Sequence, residues 1–263
     1  MAELTKVRLE RELNELGISQ LFDLHVFGQI TSTNSWLLEN LLASSESSTV
    51  CVADEQTAGS GRSGRSWYSP AGNNIYFSFS LAIEHEVRDF SALSLVIGLV
   101  VYKVLRALGV SNLALKWPND ILRDNKKLAG ILIEVKTVSQ RRYLVIGIGI
   151  NVSMQDDAKA LLDIDAADLA DTEVGIVDRE KIIAMILAES HKASRIFFQH
   201  GFSAFNEEWN NSDAWKGKTV QVLDQGKVVI SGIESGVDEH GLLQVQADQM
   251  HKVSSGDVSL RRS

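Results

Sequence analysis

Ile75, Phe77, Phe79 and Leu81 alternate with Tyr76, Ser78, Ser80 and Ala82. A period of two with the large apolar residues on one side describes a strand with one more apolar face, and a helix cannot accommodate it. Leu24–Ile30, the β-branched run Thr49–Asp54, Leu113–Trp117, Leu128–Val135 and Tyr143–Val152 read as further strands. Helical periods lie between them. Residues 3–16 space Leu4, Leu9, Leu13 and Leu16 among charges as a short amphipathic helix. Thr31-Ser32-Thr33-Asn34 supplies capping residues for a helix beginning near Ser35. Residues 89–109 read as a core helix ending at Gly109. Lys181–His200 reads as a long amphipathic helix, and Phe202–Trp209 continues the helical part. Residues 43–49 predict a Ser-rich surface loop, Asn119–Lys127 a loop between strands, and residues 155–173 an acid-rich surface segment.

After Trp215 the texture changes. Short β-like runs are punctuated by Gly217, Gly226, Gly232, Gly236, Gly241 and Gly256. That spacing predicts a small β-barrel of roughly five strands. The boundary falls near residue 215, giving domains 1–214 (residues 1–20 a short N-terminal helix) and 215–263.

Composition excludes several classes. The 263 residues are 44% hydrophobic and 23% charged, as in an ordinary globular protein. The net charge of −8 is a poor footprint for phosphate backbones, so nucleic acid is not an expected partner. The single cysteine, Cys51, rules out an internal disulfide and a Cys-rich zinc site, and it reads as a small hydrophobe on a buried strand. The His residues show no metal-ligand spacing, so no protein metal site is expected. No signal peptide opens the chain. The longest apolar stretch, Leu93–Leu108, is broken by Ser94, Gly98, Lys103 and Arg106, so no membrane span is expected and the cytoplasm is the default location.

Two motifs carry chemistry. In Gly59-Ser60-Gly61-Arg62-Ser63-Gly64-Arg65, three glycines allow tight turning and exposed N–H groups, while Arg62 and Arg65 add forked cations suited to carboxylate and phosphate. Neither the Walker nor the dinucleotide spacing is met. Taken alone, the loop reads first as a flexible solvated surface segment. Lys116-Trp117-Pro118-Asn119-Asp120 sets a cation, an aromatic plane, a turn, an amide and a carboxylate together, with Lys127 following seven residues later. Taken alone, it is equally a hairpin with solvated lysines. Gly147 and Gly149 inside a strand mark a close approach to the backbone.

Together these segments resemble the biotin–protein ligase family. The resemblance runs through Ser32-Thr33-Asn34, Gln56 to Trp67, Lys116 to Asp120, Lys127-Leu128-Ala129-Gly130, Gly147-Ile148-Gly149-Ile150-Asn151 and the terminal Ser259-Leu260-Arg261, covering residues 25–263. It implies an α+β fold: a mixed β-sheet covered by helices, like the catalytic domain of class II aminoacyl-tRNA synthetases, followed by a small SH3-like barrel. It implies two reactions. Biotin and ATP give biotinyl-5′-AMP and pyrophosphate, and a lysine of a biotin carboxyl carrier protein then displaces AMP. Arg62, Lys127 and Asp120 are the implied catalytic residues. Ser32, Thr33, Asn34, Gln56, Gly59, Ser60, Gly61, Arg62, Lys127 and Gly130 are implied around biotin. Arg62, Arg65, Trp67, Asn119, Lys127, Asn151 and Arg261 are implied around ATP and the adenylate. Mg²⁺ is expected on the nucleotide oxygens with few protein ligands. The loop is expected to be mobile without ligand and to order over the adenylate.

Two departures stand out. Position 60 is Ser where many members carry Arg or Lys. The bifunctional members have an N-terminal helix-turn-helix repressor domain, for which the residues before Leu24 are too few, so operator binding is not expected. Members often dimerise through an edge of the catalytic sheet, and a homodimer is carried as an expectation. The rival readings are a lipoate ligase or octanoyl transferase of the same fold, and a biotin sensor without catalysis.

Overall fold

The computed structural model describes residues 4–41, 47–72, 74–83, 90–154, 166–170, 178–255 and 258–262. The catalytic part runs α1 (Lys6–Glu15), β1 (Phe22–Ile30), α2 (Thr33–Asn40), β2 (Ser48–Gln56), β3 (Asn74–Ile83), α3 (Leu93–Ala107), β4 (Leu113–Lys116), β5 (Asp120–Arg123), β6 (Lys126–Val138), β7 (Arg141–Asn151), α4 (Arg179–His200) and α5 (Asn206–Asn211). Then come β8 (Thr219–Asp224), β9 (Lys227–Val237), β10 (Leu243–Gln246), β11 (Met250–Val253) and β12 (Val258–Arg262).

The first seven strands form one sheet in the order β1-β2-β3-β7-β6-β5-β4. Only β1 and β2 pair parallel; the other neighbours are antiparallel, so the sheet is mixed. Helices α1, α3 and α4 form one connected layer, α3 lying on β4–β6 and α4 on β3, whereas α2 packs on β2, β3 and β7. Gly98 of α3 faces the sheet, next to Ile131 and Leu115. Asp178 caps α4 by accepting from Lys181 N at 3.1 Å. Arg179, at the start of α4, is buried and donates to Asp54 Oδ1 at 2.7 Å and to the Asn74 carbonyl at 3.1 Å, pinning the helix to β2 and β3.

The last five strands form an antiparallel sheet in the order β11-β10-β9-β8-β12, the number of strands that the glycine spacing predicts. It is stitched to the catalytic part. Asn206 and Asn210 donate to the Val237 carbonyl at 3.0 Å, and Val237 N donates back to Asn210 Oδ1 at 2.9 Å. The Trp117 indole donates to the Gly241 carbonyl at 3.3 Å.

Two expectations need correction, the loop at Asn119–Lys127 and the start of α2. The segment Asn119–Lys127 is not a plain loop: it contains β5 and a tight turn at Asp124 and Asn125, both with positive φ. Asn and Asp tolerate that left-handed backbone, so a two-residue connection suffices. Strand β3 is buried on both faces, Tyr76, Ser78 and Ser80 included, because α2 covers the face that the alternation leaves less apolar. Helix α2 begins at Thr33, capped by Ser32, rather than near Ser35. The expected acid-rich surface segment at 155–173 and serine-rich loop at 43–49 fall largely outside the described residues; within the latter, β2 already begins at Ser48. Cys51 is fully buried, and burial pushes its thiol up to about 12. No helix among the described residues is long and apolar enough to cross a membrane.

Candidate active site

A cleft of about 640 Å³ opens over β7, β6 and β5 and is bounded by the Gly–Arg loop, the turn between β4 and β5, and Leu260 and Arg261 of β12. The loop is not a structureless flap. Trp67 N donates to the Gly59 carbonyl at 2.8 Å and Gly61 N to the Arg65 carbonyl at 2.6 Å, with a bridge between Ser60 and Ser66. The result is a small hairpin whose tip is the 3₁₀ turn Arg62–Gly64, with positive φ at Ser63 and Gly64. Gly59 is needed where the hairpin closes: a Cβ would lie 2.5 Å from the Trp67 carbonyl and 2.6 Å from Ser69 Oγ.

Arg62 reaches across the cleft. Its guanidinium donates to Asn119 Oδ1 at 3.1 Å, to the Ser255 carbonyl, and to the Val258 carbonyl at 3.4 Å. One side chain thus ties the loop to both the β4–β5 turn and the C-terminal sheet. Arg65 is exposed, and its Nε donates to the Arg62 carbonyl at 3.3 Å.

At the cleft floor Asp120 lies between two lysines. Lys127 Nζ is 2.6 Å from Asp120 Oδ1 and Lys116 Nζ is 3.6 Å from Oδ2. Among the described residues Asp120 Oδ1 makes no directed hydrogen bond despite that short contact, so the Lys127 pairing is an electrostatic one, off the hydrogen-bond axis. Burial pulls the Lys116 ammonium below the ordinary lysine value; Asp120 opposes this and Lys127 adds to it. Lys116 also lies 4.7 Å over the Trp215 ring. The backbone of Lys127 is held from β7: Asn151 Nδ2 donates to its carbonyl at 3.3 Å and to Ala167 O at 3.1 Å.

Glycines make room for Trp67. Gly130 of β6 and Gly149 of β7 are register partners. A Cβ on Gly149 would fall 2.5 Å from Trp67 Cε2, and one on Gly130 3.1 Å from Cζ3 and 3.3 Å from Lys127 Cε. The indole therefore lies flush on the sheet, with Lys127 Nζ 5.1 Å from its ring centroid. Its buried N–H finds no acceptor among the described residues. At the inner end, Gln56 Oε1 accepts from Thr33 N at 2.9 Å, and Gln56 Nε2 donates to Ser69 Oγ at 2.9 Å. Thr33 Oγ1 and Ser78 Oγ meet at 2.7 Å. Ser78 Oγ donates to Asn34 Oδ1 at 2.5 Å, and Asn34 Nδ2 donates to Glu134 Oε2 at 2.8 Å.

The expected site residues Ser32, Thr33, Asn34, Gln56, Ser60, Gly61, Arg62, Arg65, Trp67, Asn119, Asp120, Lys127, Gly130 and Arg261 all line this one cleft. Gly59 and Asn151 do not; each supports a neighbour that does. Trp117 also lines the cleft, but it is buried and its indole N–H is tied to the Gly241 carbonyl of the C-terminal part. Sequence reasoning missed Ser78, Glu134 and Trp215. A carboxylate in the apolar run of β6 was a visible signal for Glu134, whereas Ser78 passed as the polar side of an alternating strand.

Residues 26–151 match the Biotin/lipoate A/B protein ligase family and residues 217–261 the Biotin protein ligase C terminal domain. The chain is 35% identical over 234 residues to the bifunctional ligase/repressor BirA of Escherichia coli, covering 88% of this chain and 72% of that one. It is 32% identical over 241 residues to the biotin–[acetyl-CoA-carboxylase] ligase of Mycobacterium tuberculosis, covering 89% and 88%. The solved biotin protein ligase from Aquifex aeolicus in complex with biotin and ATP superposes with a TM-score of 0.78 at 31% identity, over 92% of this chain and 99% of that one. The first family model embraces biotin and lipoate enzymes alike, whereas the C-terminal match is to the biotin enzymes. With both matches and these identities over nearly the whole length, the chain belongs to the biotin protein ligase family.

Proposed function

We propose that the chain joins biotin to ATP as biotinyl-5′-AMP and then transfers the biotinyl group to a lysine of a biotin carboxyl carrier protein. The observation that carries this reading is the placement of Arg62, Lys127, Asp120 and the Thr33–Asn34–Gln56 end around one cleft. In the first step a biotin carboxylate oxygen attacks the α-phosphorus, and the bond to the pyrophosphate oxygen breaks. Two anions must approach, and charge grows on the phosphoryl oxygens, so fixed cations lower the barrier more than any other local device. Arg62 and Lys127 supply them. Lys127 is held ready by Asp120 and exchanges that partner for the substrate's anionic oxygens.

In the second step the carrier amine attacks the acyl carbon, the bond to the AMP oxygen breaks, and the amine proton must leave. Asp120, freed as Lys127 engages the phosphate, holds the incoming amine in line. Trp67, flat on the Gly130–Gly149 pair, offers the adenine a ring face. Arg65 and Arg261 add positive charge at the mouth. Asn119 and Asn151 act indirectly, Asn119 by accepting from Arg62 and Asn151 by holding the backbone at Lys127.

Mg²⁺ fits only as a passenger of the triphosphate. Asp120 is the one carboxylate among the lining residues and is already held by two ammonium groups, and no cluster of three potential ligands occurs among the described residues. When bound, the ion would neutralise the phosphate oxygens. Incubation with ATP, labelled biotin and an isolated biotin carboxyl carrier domain tests the overall reaction. Label should enter the carrier at one lysine; none would enter if the chain only senses biotin.

A further inference from the structure

The inner end of the cleft carries a chain of hydrogen bonds with a fixed direction. Glu134 sits on β6, outside the cleft lining, and its carboxylate can only accept. It therefore takes an N–H from Asn34 Nδ2, at 2.8 Å, and forces the amide oxygen the other way, onto Ser78. Ser78 Oγ must then spend its single hydrogen on Asn34 Oδ1, at 2.5 Å. The Thr33 hydrogen then has two acceptors within reach, Ser78 Oγ at 2.7 Å and Gln56 Oε1 at 3.2 Å, and the shorter contact takes it because Ser78 has no hydrogen left to give. Each step leaves one group uncommitted. Asn34 keeps one N–H, and Thr33 Oγ1 keeps a lone pair. Asn34, Thr33 and Ser78 are all buried, so solvent does not scramble this order. Asn34 is also pressed onto β7, where a Cβ on Gly147 would collide with its amide, so the amide can turn over in place but cannot move away.

We propose that Glu134 is a positioning residue that sets the sense of the Asn34 amide, so that the inner end of the cleft offers an N–H to a carbonyl and a lone pair to an N–H, the pattern of a ureido group. The inference rests on the reading above that biotin's ring system occupies this end. Its physical content is specific. Glutamine in place of Glu134 keeps the shape and still accepts, but it can also donate. The Asn34 amide is then free to turn over and present its oxygen, and the directed order is lost.

The test compares Glu134→Gln, Asn34→Ala and the wild-type chain in pyrophosphate exchange, with biotin and with 2-iminobiotin, whose ring replaces the ureido oxygen by an imino N–H. For Glu134→Gln the biotin KM should rise about tenfold, the cost of one mispaired buried polar group. The ATP KM and kcat at saturating biotin should stay within about twofold, and the ratio of iminobiotin KM to biotin KM should fall at least threefold. A merely structural Glu134 would lower the melting temperature and kcat together without moving that ratio, and this result overturns the proposal. Wild-type KM values and ratio in Glu134→Gln, with a raised biotin KM in Asn34→Ala, also overturn it while leaving the reading of the inner end intact. An unchanged biotin KM in Asn34→Ala removes that reading and the proposal with it.

Discussion

Lys127 is asked to do two things, and its position explains how. It pairs with Asp120 at 2.6 Å before substrate arrives and lies over the face of Trp67, so it is neither buried without a partner nor lost to solvent. Lys127→Ala removes a cation aimed at the developing phosphoryl charge. Biotin-dependent pyrophosphate exchange should fall by about two to three orders of magnitude, the cost typical of deleting one such group. Arg62→Gly should lose exchange similarly and should also release biotinyl-AMP faster, because Arg62 ties the loop to Ser255 and Val258. Normal exchange in both variants would reject the assignment. Asp120→Ala should still form the adenylate but transfer it to the carrier about a hundredfold more slowly; single-turnover measurement of each half-reaction checks this, and equal losses in both would count against it. Ser60 lies exposed on the hairpin, and among the described residues its side chain makes one bond, of 3.4 Å, to the Ala58 carbonyl. A cation fits there without disturbing a contact, so Ser60→Arg should slow adenylate release; an unchanged off-rate would contradict this.

At the scale of elements, the glycine pair on β6 and β7 is the part of the site with least tolerance. Gly149→Ala places a methyl 2.5 Å from Trp67 Cε2, so the indole must lift off the sheet into the cleft. The expected cost is about 1–3 kcal/mol in stability, with weaker nucleotide binding than biotin binding; thermal melts and separate KM values for ATP and biotin measure it. Much of this architecture was legible in the residues. Alternating strands, caps and the glycines inside Tyr143–Val152 pointed to a sheet with something pressed against it. What presses there, Trp67 and Asn34, was not legible, because those contacts join positions far apart in sequence. Nor was β5, since a four-residue strand reached through a two-residue turn leaves no periodicity to read. The hairpin form of the Gly–Arg loop was not legible either, since its ladder bonds and the reach of Arg62 to Asn119 leave no mark in the glycine spacing.

For the whole molecule, the junction between the catalytic sheet and the C-terminal sheet holds a second, titrating element. Glu234 of β9 is buried with no hydrogen-bond donor for either oxygen among the described residues, and it faces Asp213, whose backbone bridges Leu115. Burial first, and Asp213 second, push the Glu234 carboxyl up to about 9 from an ordinary 4.5. A raised acid favours folding while it stays protonated. The stability it allows is complete below the ordinary value and is lost as pH climbs toward about 9. Glu234→Gln should therefore raise the melting temperature at pH 8 and change it little at pH 4; an equal gain at both would contradict this account. The boundary proposed near residue 215 lies beside this pair, so the two domains are expected to separate more readily in alkaline solution.

The central claim, that one cleft activates biotin with ATP, is tested most directly by exchange of labelled pyrophosphate into ATP by the intact chain, with biotin, lipoate or octanoate as the only added acid. The account predicts exchange that depends on biotin and is absent with the other two. Exchange driven by lipoate or octanoate, or none with any acid, would contradict it.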